Sequence, residues 1–385
     1  ALAAALLPVG LLERLLGSKH KAAMDDLATV IFSSGSTGAP KGVMLSHYNV
    51  VSNIQQIGQA FALDRNDRIL GILPFFHSFG FTGTLWLPPL LGSGAVYHPN
   101  PVDGRGIGEL VGEHRVTFLL ATPTFLQIYI RACTPEQFGS VEFVLAGAEK
   151  LSERLATAFE DRFGLRPMEG YGTTETSPVV TINTRDFRSA GFRQVGAKRG
   201  SIGHPLPGMV ARIVDPDTGA PVALGRAGLL LVKGPNVMQG YLGQAEKTAE
   251  VLRDGWYTTG DIAAMDADGF RAITDRLSRF SKIGGEMVPH IKVEENLHEL
   301  GELTEQTFAV TGVPDERKGE RLVVLYQNLD ESAVQSVAEK MTATDLPNIW
   351  KPRSDQFFKV EALPYLGTGK LDLKQIKTLA AELSP

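Results

Sequence analysis

Residues 30–42 read Val-Ile-Phe-Ser-Ser-Gly-Ser-Thr-Gly-Ala-Pro-Lys-Gly, and no other run narrows the fold of this chain as much. An apolar strand stub, Val30-Ile31-Phe32, feeds a loop of hydroxyl residues and glycines that closes on a lysine. Gly35 and Gly38 let backbone N–H groups turn toward an anion with no Cβ in the way. The hydroxyls of Ser33, Ser34, Ser36 and Thr37 add donors, and Lys41 adds charge. The chemistry implied is phosphate binding where a strand ends. The run is not a Walker A loop, which needs a Ser or Thr after its lysine. Here Lys41 stands between Pro40 and Gly42.

Strand-like runs at 28–32, 68–73, 94–98, 116–121, 141–146 and 228–233 alternate with helical spacing. Val50, Ile54, Ile57 and Phe61 fall on one helical face, with Ser46 or Asn49 near its start. Leu155, Phe159 and Phe163 repeat the pattern. Such alternation predicts a mostly parallel α/β sheet with phosphate chemistry at strand ends. Residues 185–226, rich in Arg, Gly and Pro, break the rhythm and read as loops and a smaller β-rich subdomain. Beyond residue 276 the pattern changes again. Strands at 307–312 and 321–326 flank a loop at 313–320, and helical stretches lie near 292–300 and 332–341. This reads as a small α+β domain. The expected division is 1–24 as a linker or remnant, 25–275 as a large domain and 276–385 as a small one.

A chain of 385 residues suffices for two or three domains at roughly 100–200 residues each. The net charge of −5 gives no case for nucleic-acid binding. The single cysteine, Cys133, excludes an internal disulfide framework, fits a reducing compartment and reads as a small apolar filler. The apolar residues 1–16 are interrupted by Pro8 and Glu13-Arg14 and are too short to span a bilayer. The expected location is therefore the cytoplasm.

Five further runs carry chemistry. In Gly170-Tyr171-Gly172-Thr173-Thr174-Glu175-Thr176, Tyr171 offers a flat face for a base, Thr174 a donor for a phosphate oxygen, and Glu175 a hard ligand for Mg²⁺. Ala146-Gly147-Ala148-Glu149-Lys150 ends a strand with small residues that admit a planar ring or an acyl chain. In Trp256-Tyr-Thr-Thr-Gly-Asp261, the Asp261 carboxylate can accept from two ribose hydroxyls. The run Asp275-Arg276-Leu-Ser278-Arg-Phe-Ser-Lys-Ile-Gly284-Gly285-Glu-Met-Val288 is followed much later by Leu363-Pro-Tyr-Leu-Gly-Thr-Gly-Lys370, where a glycine turn can project Lys370 into a site. A lysine so placed can stabilise negative charge as it redistributes in a transition state.

Together with residues 33–41, these runs resemble the signatures of the adenylate-forming (AMP-binding) enzymes: acyl-CoA synthetases, peptide-synthetase adenylation domains and luciferases. The resemblance covers residues 25–380. It implies a large α/β domain with a β-rich subdomain, incomplete at its start, and a mobile α+β lid. It makes ATP and Mg²⁺ the cofactors. Arg276 becomes a ribose and phosphate contact, Ser278 the hinge, and Gly284 and Gly285 the passage for a pantetheine arm. Ser278 departs from the usual aspartate or lysine. His77, within Pro74-Phe-Phe-His-Ser-Phe-Gly80, matches an acyl-pocket gate, against the plain reading of a packed core histidine.

Phe75, Phe76, Phe79, Phe81, Leu85 and Trp86 suit an apolar tunnel and a fatty acid. Ile31–Thr37, Lys282–Val288 and Leu346–Pro352 resemble the synthetase part of the bacterial acyl-ACP synthetase/2-acylglycerophosphoethanolamine acyltransferase fusions. That likeness implies acyl carrier protein or CoA as thiol donor, an upstream acyltransferase domain and a parent protein at the inner membrane. A long-chain acyl-CoA ligase using free CoA and an inactive nucleotide-binding module are the alternatives. Arg185, Arg188, Arg193, Lys198 and Arg199, and separately Arg317, Lys318 and Arg321, are candidate docking groups for an acidic carrier.

Overall fold

The computed structural model describes residues 8–15, 21–34, 40–303, 306–365 and 371–384. They form two compact bodies, one from residues up to 210 with 232–257, the other from 211–231 with residues beyond 257. Compactness thus divides the chain at 257/258 and passes 211–231 to the second body. The 275/276 division expected from the sequence stands as a proposal.

The first body is built on β3 (Arg68–Gly71), β4 (Gly94–Tyr97), β5 (Phe118–Ala121), β6 (Phe143–Ala146), β7 (Met168–Gly172) and β8 (Val179–Ile182). Preceding them in the chain are β1 (Leu27–Ser34) and β2 (Pro40–Ser46). The large sheet has seven strands, with His204–Pro205 next to β8, then β7, β6, β5, β3 and β4. The five strands from β7 to β4 are parallel, and β8 and His204–Pro205 close the edge in antiparallel fashion. β5 and β6, Phe-Leu-Leu-Ala and Phe-Val-Leu-Ala, are buried along their whole length. Continuous apolar runs are what strands covered on both faces require.

Helices cover both faces. α1 (His47–Phe61) begins at Ser46, whose hydroxyl accepts from Asn49 N–H while the Asn49 side chain accepts from Ser46 N–H, a reciprocal cap. Its Phe61 ring packs against Phe118 and Phe143, with centroids 5.1 Å away in each case. On the opposite face lie α2 (Gly104–Glu113), α3 (Pro123–Ala132) and α4 (Glu153–Phe163), which bury Ile107, Val111, Leu126, Tyr129 and Phe159 against Leu119, Ala121, Val144 and Ala146. Alternation along β5 and β6 assigns neighbouring residues to opposite layers. Cys133 sits in this core, its thiol pushed up to about 11 by burial, as expected of a filler.

Two expectations about strand placement are corrected. The phosphate-loop strand does not join the parallel sheet. β1 and β2 form an antiparallel pair, extended by Gly240–Tyr241 into a separate three-stranded sheet. Ser33, Ser34 and Lys41 are therefore strand residues rather than loop residues. The connection from 34 to 40 is far too short for a parallel crossover, which needs a dozen or more residues. Strand 228–233 also lies elsewhere, in a five-stranded sheet with Val210–Val214, Leu252–Arg253, Trp256–Met265 and Arg271–Arg276.

In the second body, Phe280–Ile283, Glu286–Pro289, Phe308–Asp315, Gly319–Tyr326 and Phe357–Lys359 form a sheet. α5 (His290–Leu300) and α6 (Glu331–Thr342) cover one face through Val293, Leu297, Val334, Val337 and Met341. α7 (Leu373–Leu383) covers the other through Ile376 and Ala380. The loop expected at 313–320 is shorter: the strands pair as far as Asp315 and Gly319, leaving only 316–318 as the turn. Pro314, with no N–H to give the ladder, hides the last residues of the strand expected at 307–312.

Candidate active site

In the first body, the ends of β6 and β7 carry two of the motifs. After Ala146 the chain turns through Ala148 in the left-handed region, at φ 67°. Gly147 is buried beside the Phe79 ring, whereas Ala148 and Glu149 are exposed. The Glu149 carboxylate accepts from Thr124 Oγ1 at 2.7 Å and Thr124 N–H at 3.3 Å, which ties it to the start of α3.

At the end of β7, Gly172 is exposed, and any Cβ there would sit 1.8 Å from the Pro178 carbonyl oxygen. Gly170 and Tyr171 are half-buried, as are Thr173 and Thr174 in the turn that follows. Thr174 Oγ1 lies 3.3 Å from Ser78 Oγ, so this motif meets the segment that carries His77. His77 is exposed, and its Nδ1 accepts from Phe79 N–H at 3.3 Å. The plain reading of His77 as a packed core residue is therefore set aside. Behind it, Ser78–Leu91 is helical throughout, with a π-helical stretch at Phe81–Trp86. Phe76 is 82% exposed, while Phe79 is buried.

Glu175 is buried, and Tyr241 Oη donates to its Oε1 at 2.8 Å. The same Tyr241 ring takes the Lys41 ammonium over its face, 4.8 Å from the centroid. Tyr241 comes from the short strand paired with β2, opposite Val43. Lys41, Tyr241 and Glu175 thus form one contiguous line. Burial and the neighbouring Glu175 push the Tyr241 phenol well up, and Tyr257 is raised for the same reasons. Both phenols stay protonated at neutral pH, and Tyr241 donates to Glu175. The motif reading missed Tyr241, since a lone tyrosine after glycine has no periodicity or spacing to mark it.

Among the described residues no group of three or more His, Cys, Asp or Glu could hold a metal. Mg²⁺ commonly takes one or two carboxylates, with substrate phosphates and water completing the octahedron. Glu175 fits that demand: one phenol hydrogen bond leaves most of its acceptor capacity available.

In the second body, Asp261 and Arg276 are cross-strand partners, Arg276 Nε lying 3.3 Å from Asp261 Oδ1. Asp261 is buried and Arg276 is exposed. The structure so joins two motifs that the sequence presents separately. Asp275 fixes the next segment: Oδ1 accepts from Arg276 N–H and Oδ2 from Ile291 N–H, both at 2.7 Å. Burial pushes Asp275 up to about 7. Arg279 forms a buried ion pair with Glu294, which also accepts from Val310 N–H at 2.6 Å. The backbone of Ser278 lies in the helical turn Leu277–Arg279, between these two anchors.

Gly284 and Gly285 form a two-residue hairpin turn with φ of 60° and 85°. Positive φ at both positions is the signature of a type I′ turn. A Cβ would meet nothing within 4 Å at either position, so backbone conformation rather than space requires glycine. Gly35, Ser36, Thr37, Gly38 and Lys370, and the side chains of Ser34 and Ser278, lie outside the described residues.

The family model described as AMP-binding enzyme matches residues 8–242. The chain belongs to the AMP-binding enzyme family. A feruloyl-CoA synthase from Amycolatopsis sp is 35% identical over 355 residues, covering 90% of this chain and 69% of that protein. A long-chain-fatty-acid–CoA ligase from Bacillus subtilis is 37% identical over 303 residues, covering 77% of this chain and 51% of that protein. Among solved structures, ATP-bound MatB from Rhodopseudomonas palustris superposes with a TM-score of 0.77 at 27% identity, over 94% of this chain and 70% of that one. The o-succinylbenzoate coenzyme A synthetase MenE from Bacillus subtilis, in complex with ATP and magnesium ion, gives 0.76 at 25% identity, over 92% and 71%. The adenylate-forming α/β fold is thereby established for this AMP-binding enzyme.

Proposed function

We propose that this chain carries the catalytic parts of an ATP-dependent acid–thiol ligase acting on a fatty acid. A carboxylate oxygen attacks the α-phosphorus of ATP, the bond to pyrophosphate breaks, and acyl-AMP forms. A pantetheine thiol then attacks the acyl carbonyl as its proton is lost, and AMP leaves with its electron pair. The observation that carries this reading is the line Lys41–Tyr241–Glu175, a phosphate-binding cation and a buried Mg²⁺ carboxylate spaced by one phenol.

The assigned roles follow from where each group lies. Residues 33–38 and Lys41 hold the phosphates, and Glu175 would hold a magnesium ion, which would supply charge neutralisation there. Thr174, bonded to Ser78, stands between the phosphate side and the acyl side. His77 gates the acyl pocket. Gly147, Ala148, Glu149, Gly170, Tyr171, Gly172 and Thr173 border the base. Asp261 and Arg276 take the ribose. Lys370 serves adenylation. The lid then turns about Ser278 and brings Gly284-Gly285 forward for thiol transfer.

The apolar side chains of Phe75, Phe76 and Trp86, all substantially exposed, support an acyl chain as substrate. CoA is the favoured thiol, since the named relatives are CoA synthases and ligases. Acyl carrier protein is the second acceptor, supported by the resemblance to the acyl-ACP synthetase fusions. Fatty-acid-dependent AMP release, with thioester yield compared on CoA and on carrier protein, tests the proposal. AMP release that ignores the acid would contradict it.

A further inference from the structure

The segment 184–196 is used by none of the chemistry above. Its ends are joined by a backbone bond from Thr184 N–H to the Gly196 carbonyl at 2.8 Å, and Asp186 Oδ1 accepts from Gly196 N–H at 3.0 Å. Between them, Phe187–Ser189 and Phe192–Gln194 form a two-stranded antiparallel sheet of their own, joined to no other strand. Every residue from 185 to 195 is exposed. A hairpin with no sheet or helix behind it is marginal in water, so its fastening matters. Arg185 donates to the Glu142 carbonyl at 2.9 Å, and its guanidinium carbon lies 3.9 Å from the Phe143 ring centroid. Arg199 pairs with Glu153 at 3.3 Å. These contacts hold the base and leave the tip projecting.

The tip is two-faced. Register sets Arg188 opposite Arg193, and Phe187 and Phe192 opposite Gln194 and Ser189. Side chains alternate along a strand, so both arginines share one face and both phenylalanines the other. The Phe187 and Phe192 rings stand 6.1 Å apart and are 57% and 55% exposed, with Val195 nearby at 44%. Like charges directly opposite on a sheet destabilise it, and Asp186, 3.3 Å from Arg193, offsets only part of this. Residues 184–200 hold five basic side chains and one acidic one, in a chain of net charge −5. The ribbon sets two exposed aromatic rings on one face and two like charges, Arg188 opposite Arg193, on the other, and both the bare rings and the like-charge pair are unfavourable in water.

We propose that this hairpin docks the protein on an anionic lipid surface. Rings of this kind settle at the headgroup boundary, while guanidiniums on long stems reach the lipid phosphates. A second copy of the chain would bring the same positive face and be repelled. An acidic protein would satisfy the arginines but has no need of the rings. Contact through the hairpin would be peripheral, since no helix among the described residues is long and apolar enough to cross a membrane. The inference does not depend on the proposed reaction.

The test is co-sedimentation of the chain with phosphatidylglycerol-containing vesicles and with phosphatidylcholine vesicles. Binding is expected to the anionic vesicles only, and to weaken as salt screens the charges. Arg188→Gln with Arg193→Gln should lower vesicle affinity about thirtyfold, and the double lysine variant should restore it. Phe187→Ser with Phe192→Ser should abolish the binding that survives at high salt. All these residues are exposed, so thermal unfolding should not move. Failure to bind anionic vesicles, or binding that none of the variants weakens, would overturn the proposal. So would a dimer that the phenylalanine variants dissociate, or capture of acyl carrier protein that depends on the arginines while vesicles go unbound.

Discussion

Replacing Tyr241 by Phe removes the hydroxyl at the centre of the site, which bonds Glu175 and also meets Tyr257. The substitution removes the hydroxyl that donates to Glu175 Oε1 at 2.8 Å and keeps the ring beneath Lys41. Hydrogen bonds to charged groups contribute about 1.5–3 kcal/mol, and more of the loss is felt where the orphaned partner is buried. Glu175 is only 9% exposed, so water cannot readily replace the phenol. At about 2–4 °C per kcal/mol for a body of 150–250 residues, the melting temperature should fall by about 3–12 °C. Tyr241→Leu also removes the cation–π contact and should cost about 0.5–1 kcal/mol more. A double-mutant cycle of Tyr241→Phe with Glu175→Gln should return a coupling energy of at least about 0.5 kcal/mol. Thermal denaturation of the four proteins measures this. A Tyr241→Phe variant that melts with the parent, and a cycle that sums to zero, would refute the line from Lys41 to Glu175.

Three other outcomes are expected. Cys133, buried with its thiol pushed up to about 11, should resist a thiol reagent at neutral pH in the native protein and react fully in denaturant. Glu169 is pushed by burial up to about 7, so the folded state holds a proton that the unfolded state has released. Stability should then fall as pH rises from about 4.5 to 7. Glu169→Gln should lose the Glu169 share of this fall, leaving the share of Asp275, which burial also raises to about 7, and should gain at most about 3 kcal/mol over the parent at pH 8, as read from urea titrations at both pH values. Lys370→Ala should abolish adenylation yet spare thioester formation from supplied acyl-AMP; equal loss of both half-reactions in a folded variant would count against its role.

Much of the first body was legible because its signals are local. β5 and β6 are uninterrupted apolar runs, and α1 announces itself by its apolar face and the Ser46 cap. The motifs were legible as runs of residue type, and Asp261 and Arg276 were singled out through the resemblance of those runs to the signatures of adenylate-forming enzymes. What stayed hidden was pairing between distant segments. The contact of Asp261 with Arg276 depends on antiparallel register with an irregularity between Ile262 and Ala263, which no local run encodes. The same holds for β1 and β2, where Val-Ile-Phe reads equally well as a parallel strand. Tyr241 reaches Glu175 only because two residues, Gly240 and Tyr241, add to the edge of β2. Asp275 is tied to the start of α5 across a hairpin, again a consequence of tertiary placement.

Exchange of labelled pyrophosphate into ATP, measured with Mg²⁺ and a panel of fatty and aromatic acids, bears most directly on the proposed chemistry. It reports reversible acyl-adenylate formation without any thiol acceptor. Exchange should appear only when a carboxylic acid is present, should favour acids with long apolar chains, and should drop sharply in Glu175→Gln. A folded protein that binds ATP yet shows no acid-dependent exchange with any member of the panel would contradict the assignment.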